Sequence, residues 1–173
     1  SRVAPIGVCL DQNAQSLTVE GGSFAVVAGS VRPTVTVIAA SGTETTFQPE
    51  SLSGCAPPEG TDAGFGLELC TGLVFTLPSQ QFQPGTYSLR VTNPDPVGCS
   101  SGTNVDFTIN PPPKVDAVAP GTVCSGGSVL VASGSAFQAG ATAQLTCSST
   151  TLAASLTSVN GAGSQLSMTF GPG

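Results

Sequence analysis

Apolar and polar residues alternate along much of this chain with a period of two. Ser16-Leu-Thr-Val-Glu20, Pro33-Thr-Val-Thr-Val-Ile38, Gly72-Leu-Val-Phe-Thr-Leu77, Thr86-Tyr-Ser-Leu-Arg-Val91 and Asn104-Val-Asp-Phe-Thr-Ile109 all follow this pattern. They are rich in β-branched and aromatic residues, the mark of strands with one buried face. Gly, Pro and Asn clusters punctuate them. Helical periodicity is almost absent. Many short strands separated by turn signals predict an all-β sandwich.

The pattern also repeats. Val3-Ala-Pro-Ile-Gly-Val-Cys9 returns as Val118-Ala-Pro-Gly-Thr-Val-Cys124. A strand then runs into a glycine turn and a phenylalanine, first over residues 16 to 24 and again over 128 to 137. Leu73-Val-Phe-Thr-Leu-Pro78 has an echo in Leu166-Ser-Met-Thr-Phe170. Self-similarity at a long period signals tandem modules. Pro111-Pro-Pro113 stands between the copies, and consecutive prolines favour a stiff polyproline II linker. The expected organisation is therefore a first module over 1–110, a linker over 111–113 and a second module over 114–173. Nothing after Phe170 matches Thr86 to Val91 or the strand that follows it. The second module is thus expected to be incomplete, lacking its last two strands. Unpaired edges and a half-covered core are costly. Two explanations are open: the sequence is an excerpt of a longer chain, or a neighbouring chain donates the strands by β-augmentation.

Composition narrows the function. Only 8% of residues are charged, the net charge is −6, and there is no His and no Trp. Arg2, Arg32, Arg90 and Lys114 are the only cations and stand far apart. Phosphate recognition needs clustered Lys and Arg, so nucleic acid is excluded as a partner. A polybasic membrane patch is excluded for the same reason. No apolar run approaches the ~18 residues of a membrane helix, so membrane insertion is not expected. The six cysteines, at 9, 55, 70, 99, 124 and 147, form no C-x-x-C pair. An even count at long spacings reads as disulfides in an oxidising compartment.

Pro113-x-Val-x-x-Val-x-Pro120, Gly126-Gly-Ser-Val-Leu-Val131 and Gly134-x-x-Phe137 together resemble the opening of an IPT/TIG domain. The Leu77 to Asn93 stretch, with Pro-Gly-Thr-Tyr-Ser-Leu-x-Val-Thr-Asn at its end, resembles the second half of that domain. The resemblance implies two tandem immunoglobulin-like β-sandwiches, disulfide-stapled, of a bacterial secreted or cell-surface protein. Copy one departs from the family in its longer first loop, Leu10 to Gln15, and in the Cys55 to Cys70 insertion.

The fold so implied brings the loop holding Cys9 to the hairpin holding Cys99, giving an expected Cys9–Cys99 bridge. Cys55 and Cys70 bracket one Gly/Pro-rich loop, giving Cys55–Cys70. Closing a loop of that length contributes roughly 3 kcal/mol in the chain-entropy model. Cys124 has two candidate partners. The even count favours Cys147, whereas the repeat favours a cysteine outside the sequence. The Cys124–Cys147 pairing is the one adopted.

Motifs for chemistry are weak. Gly98-Cys-Ser-Ser-Gly102 matches G-x-S-x-G, but a nucleophile elbow needs a strand-to-helix turn and a base, and the chain has no His. The acids are scattered, and paired carboxylates for glycoside hydrolysis are not apparent. Asp95, Asp106 and Asp116 lie near module ends, where calcium sites occur in surface modules, yet no D-x-D-x-D-G run is present. No cofactor, metal ligand or catalytic residue is assigned. Phe24, Phe75, Phe107 and Phe137 fall at core positions. Tyr87 follows Pro84-Gly85-Thr86, where sandwich domains anchor a tyrosine hydroxyl to the backbone. Phe47, Phe65 and Phe82 are the candidates for exposure, and Phe65 is the single expected partner contact.

These readings converge on a non-catalytic structural or adhesive spacer in an extracellular or cell-surface protein, fibrous or filamentous. Its partners would be other proteins, through self-assembly into a fibre or strand donation. The alternative is a carbohydrate- or protein-binding accessory module of a larger secreted protein. An exposed aromatic row would favour the alternative, and a smooth Ser/Thr surface with buried Phe would favour the spacer.

Overall fold

The computed structural model describes residues 1–9, 13–27, 31–60, 66–102, 104–123, 126–147, 149–171. These residues form strands and turns, with no helix. The chain divides into two compact units, Ser1–Pro111 and Pro112–Gly173, with the division inside the proline run.

Unit 1 has two sheets. One orders its strands β1 (Arg2–Ala4), β3 (Gln15–Val27), β7 (Leu67–Leu77) and β6 (Ser51–Ser53). The other orders β2 (Gly7–Val8), β9 (Val105–Ile109), β8 (Gly85–Thr92), β4 (Thr34–Ala39) and β5 (Glu44–Phe47). Each of the five alternating segments forms a strand, with Pro33 and Asn104 standing just before theirs. Leu17, Val19, Leu73 and Phe75 from the first sheet share one core with Val35, Val37, Leu89 and Phe107 from the second. Alternation supplies this directly, because successive strand residues point to opposite faces.

The chain changes sheets near its start. β1 pairs antiparallel with β3, whereas β2 pairs parallel with β9. Pro5 lies between them and has no N–H to continue the first ladder. The second ladder begins at once: Thr108 N–H donates to the Ile6 carbonyl at 2.8 Å, and Asn110 N–H to the Val8 carbonyl at 2.7 Å.

Unit 2 repeats the first sheet. Its order is β10 (Lys114–Ala119), β11 (Ser128–Ser135), β15 (Gln165–Phe170) and β14 (Leu156–Val159). Register matches residue for residue. Val3 pairs with Val19 as Val118 pairs with Ala132. Leu17 pairs with Phe75 as Leu130 pairs with Met168, and Leu52 with Leu73 as Val159 with Leu166. The echo noted between Leu73–Leu77 and Leu166–Phe170 therefore occupies one place in two sheets.

A glycine recurs where β3 and β11 approach their neighbours. A Cβ on Gly134 would lie 1.8 Å from the Lys114 carbonyl oxygen, and one on Gly21 would lie 2.6 Å from Ser1 Oγ. In both, the ring of the following phenylalanine, Phe137 or Phe24, would stand 3.0 Å away. The missing side chain lets these rings fold over the turn into the core, where both are buried.

Among the described residues the second sheet of unit 2 consists of β12 (Gln144–Cys147) paired with β13 (Thr150–Ala153). Among the described residues nothing corresponds to β2, β8 or β9. In unit 1, β4 carries β5 on one edge and β8 on the other. In unit 2, β12 has β13 on one edge and no strand on the other among the described residues.

Candidate functional site

The aromatic residues form an internal stack. Phe47 lies 5.8 Å from Phe75 and 6.1 Å from Phe82, Phe82 lies 5.5 Å from Tyr87, and Tyr87 lies 5.8 Å from Phe107, centroid to centroid. Phe24, Phe75, Phe107, Phe137, Phe170 and Tyr87 are buried. Phe47 and Phe82, expected to be exposed, are half-buried against the core instead. The reason is local. Phe47 ends β5 opposite Val35, and Phe82 sits in the turn that leads to Tyr87, so both rings extend the stack rather than leave it. Tyr87 donates its hydroxyl to the Gln83 carbonyl at 2.8 Å, the backbone anchor expected from its place after Pro84-Gly85-Thr86. Phe65, the expected partner contact, lies outside the described residues.

Cys55 and Cys70 are joined by a disulfide. Cys70 is fully buried on β7 beside Phe24. Two backbone hydrogen bonds between Ala56 and Leu69, 2.8 and 3.0 Å, close the base of the same loop. The expected Cys9–Cys99 bridge is not formed: Cys9 is half-buried, Cys99 is exposed, and both are free thiols. Strand direction explains the difference. β2 runs parallel to β9, so Cys9 follows Val8 to the end of the sheet where Ile109 faces Gly85. Cys99 lies beyond Thr92 at the opposite end, its carbonyl held by Asn93 N–H at 2.9 Å. The eight residues of β8 separate the two ends. That is about 25 Å at the rise of a strand, against the roughly 7 Å Cα separation a disulfide tolerates. Cys124 and the side chain of Cys147 lie outside the described residues, and so does their pairing.

The G-x-S-x-G residues continue the β8–β9 hairpin. Ser101 N–H donates to the Val91 carbonyl at 2.8 Å, Ser101 Oγ accepts from Val91 N–H at 3.2 Å, and Ser100 and Thr92 hydroxyls meet at 2.9 Å. The turn joins strand to strand, not strand to helix. A concavity of about 250 Å³ lies between this hairpin and the turn of β3. Asn93 on its wall is already paired, accepting from Ala25 N–H at 2.9 Å and donating to the Ser23 carbonyl at 2.8 Å. It fastens β3 to the hairpin.

Among the described residues the carboxylates do not converge. Asp106 accepts from Ser88 at 2.7 Å, Asp116 pairs with Lys114 at 2.7 Å, and Glu44 pairs with Arg90 at 2.7 Å. Asp95 stands in the turn after β8. Among the described residues no three His, Cys, Asp or Glu side chains gather as a metal site. The Glu20 carboxyl is held below the ordinary carboxylate range, first by its hydrogen bond from Arg2 at 2.6 Å and then by the charge of that guanidinium.

An apolar concavity that the sequence did not announce lies in unit 2. It measures about 320 Å³ and lies over the inner face of the β10–β11–β15 sheet. Leu130, Met168 and Phe170 form its floor, β10 supplies Val115 and Val118, and β12 supplies Leu145. A bulge between Val115 and Ala117 turns both valines to the same side. Val118 is 44% exposed, whereas its counterpart Val3 is 4% exposed beneath the second sheet of unit 1.

No family model and no curated protein matches this chain. Among solved structures it is similar to SGBP-B from a complex xyloglucan utilization locus in Bacteroides uniformis, at 15% identity and a TM-score of 0.34. The alignment covers 99% of this chain and spans 41% of that protein's length. No helix among the described residues is long and apolar enough to cross a membrane.

Proposed function

We propose that this chain is a non-catalytic structural and adhesive spacer of an extracellular or cell-surface protein, built from immunoglobulin-like modules of the IPT/TIG kind. The observation that carries this reading is the fate of the aromatic rings. Every described ring in unit 1 is drawn into one stack or the core beneath it. None is left flat on the surface, where a sugar ring would need it. The surface offers paired hydroxyls instead, such as Ser16 with Thr76 at 3.0 Å and Thr92 with Ser100 at 2.9 Å. The Cys55–Cys70 disulfide supports an oxidising compartment and closes the longest loop of a module that few charges keep in solution. The hydroxyl of Ser100, in a strand-to-strand turn of a chain without His, supports a role without catalysis.

Affinity electrophoresis of the 173-residue chain through gels containing neutral or acidic polysaccharides tests this. Mobility equal to that in the plain gel is expected. Retardation by a polysaccharide, relieved when that sugar is added free, would replace the spacer with a carbohydrate-binding module.

A further inference from the structure

The two units close one connection by different means. The step from β6 to β7 in unit 1 is the step from β14 to β15 in unit 2, since Leu52 pairs with Leu73 as Val159 pairs with Leu166. Unit 1 closes it with the Cys55–Cys70 disulfide. Unit 2 closes it with a short turn held by one amide side chain, that of Asn160. Its Oδ1 accepts from Ser164 N–H at 2.9 Å and from Gln165 N–H at 3.1 Å, and its Nδ2 donates to Ser164 Oγ at 3.1 Å.

The residue after Asn160 is glycine, and no other asparagine of the chain is followed by one. A backbone nitrogen that follows asparagine can attack the side-chain amide carbon and close a cyclic imide. A side chain on the attacking residue hinders that approach. Asn93 and Asn110 precede proline, whose nitrogen has no hydrogen to lose, Asn104 precedes a β-branched valine and Asn13 an alanine. Gly161 is unhindered: a Cβ built on it would meet nothing within 4 Å, and both it and Asn160 are exposed to water.

The two N–H groups on Oδ1 also stand where negative charge would develop. They are fixed from behind, because Gly134 N–H donates to the Ser164 carbonyl at 2.9 Å and Phe137 N–H to the Gly163 carbonyl at 2.9 Å. Donors held in place at about 3 Å before reaction stabilise a tetrahedral oxyanion.

We infer that Asn160 is a site of spontaneous deamidation, with water as the second reactant. The Gly161 nitrogen loses its proton to solvent base and bonds to Asn160 Cγ, while Oδ1 takes the negative charge against the Ser164 and Gln165 N–H groups. The Cγ–Nδ2 bond then breaks, and the nitrogen takes a proton from solvent and leaves as ammonia. Water opens the imide at either carbonyl, giving aspartate or isoaspartate. Amide and water become acid and ammonia, with no oxidant or reductant. Isoaspartate lengthens the backbone by a methylene within the turn, where Asn160 N–H donates to the Gln165 carbonyl at 3.0 Å and Gly163 N–H to the Asn160 carbonyl at 2.9 Å. β14 lies at the edge of its sheet, paired only with β15 among the described residues, so loss of this turn loosens it. The reaction is a timer on the β14–β15 hairpin. The inference does not depend on the spacer reading.

The test incubates the whole chain in mildly alkaline buffer beside a free peptide of residues 156–167. Peptide mapping by mass spectrometry follows each asparagine, and isoaspartyl methyltransferase labelling detects isoaspartate. Asn160 should convert ahead of Asn13 and Asn104, and faster as pH rises. Gly161→Ala, which the open space around Gly161 accommodates, should slow conversion by about tenfold or more, equivalent to ~1.4 kcal/mol in the barrier. Asn160 left intact after the free peptide has converted would overturn the inference, because the turn would then protect the amide. That comparison uses unaltered protein, so it does not rest on the variant's folding. Equal rates in the wild type and Gly161→Ala, or earlier conversion at Asn13 or Asn104, would overturn it as well.

Discussion

The seam between β3 and β7 and the seam between β11 and β15 are built alike and covered unlike. Leu17 against Phe75 in the first is Leu130 against Met168 in the second. The first pair is sealed at 0% exposure, while Leu130 and Met168 remain 5% and 7% exposed at the floor of a groove. Strand pairing is therefore not what distinguishes the two units. A ladder forms from local alternation and turn chemistry, but the burial that stabilises it comes from the opposing sheet, at about 25 cal/mol per Å² of apolar surface. Where that sheet is reduced to β12 and β13, the valines of β10 stay in contact with solvent although their strand is paired along β11.

Core truncations at matched positions should expose this contrast most strongly. Phe75→Ala removes a fully buried ring packed on Phe47, and should cost about 3–5 kcal/mol. Met168→Ala at the equivalent place opens onto an existing groove, so it should cost no more than about 2 kcal/mol. Denaturant unfolding followed separately in each unit would measure both. Equal costs would mean that the second seam is as well covered as the first.

The disulfide should come next. Replacing Cys55 and Cys70 together with Ala frees a loop of separation 15, worth about 3 kcal/mol. The loss should fall on unit 1 alone and be read as a lower denaturation midpoint there. A shift in unit 2 as well would mean that the two units do not unfold independently.

The repeated glycines offer a finer test. A methyl at Gly134 meets a backbone carbonyl that must move, whereas one at Gly21 meets a serine side-chain hydroxyl that can rotate aside. Gly134→Ala should cost about 1–3 kcal/mol, as overpacking does, and Gly21→Ala clearly less, again by denaturation midpoint. The reverse order would contradict the register match between β3 and β11.

The smallest effect is expected at Arg2 and Glu20. Glu20 titrates below the ordinary carboxylate range in the folded chain, so its contribution is present at neutral pH and fades as pH falls through that lowered value. Both side chains are solvent-exposed and screened, so Glu20→Gln should leave the midpoint unchanged within error at pH 7 and physiological salt.

Much of this was legible in the sequence, for identifiable reasons. The long alternating runs became β3, β4, β7, β8 and β9 because their apolar residues share one face. Tyr87 was readable because proline and glycine before it fix a turn that brings a carbonyl within reach of its hydroxyl. Cys55 and Cys70 were readable because their loop closes locally. The short strands were not. Glu44–Phe47 and Ser51–Ser53 are too polar and too brief to alternate, and they form because β4 and β7 offer edges to pair with. The position of Cys9 was not readable either, since a change of sheet within the four residues from Ala4 to Gly7 sets which end of the sandwich it reaches. Phe47 and Phe82 look exposed in sequence because nothing local shows that five rings meet. The groove in unit 2 was foreseeable only as an absence, through the missing echo of Thr86–Val91. Its walls depend on a bulge in β10 that alternation does not announce.

Native-state hydrogen exchange of the β3–β7 and β11–β15 amides tests the central contrast most directly. Compared at matched positions, Leu17 with Phe75 and Leu130 with Met168, where the pairing is the same, a difference in protection reports the cover above them. Exchange in β11 and β15 should be faster than in β3 and β7. Equal protection in the two seams would contradict the account.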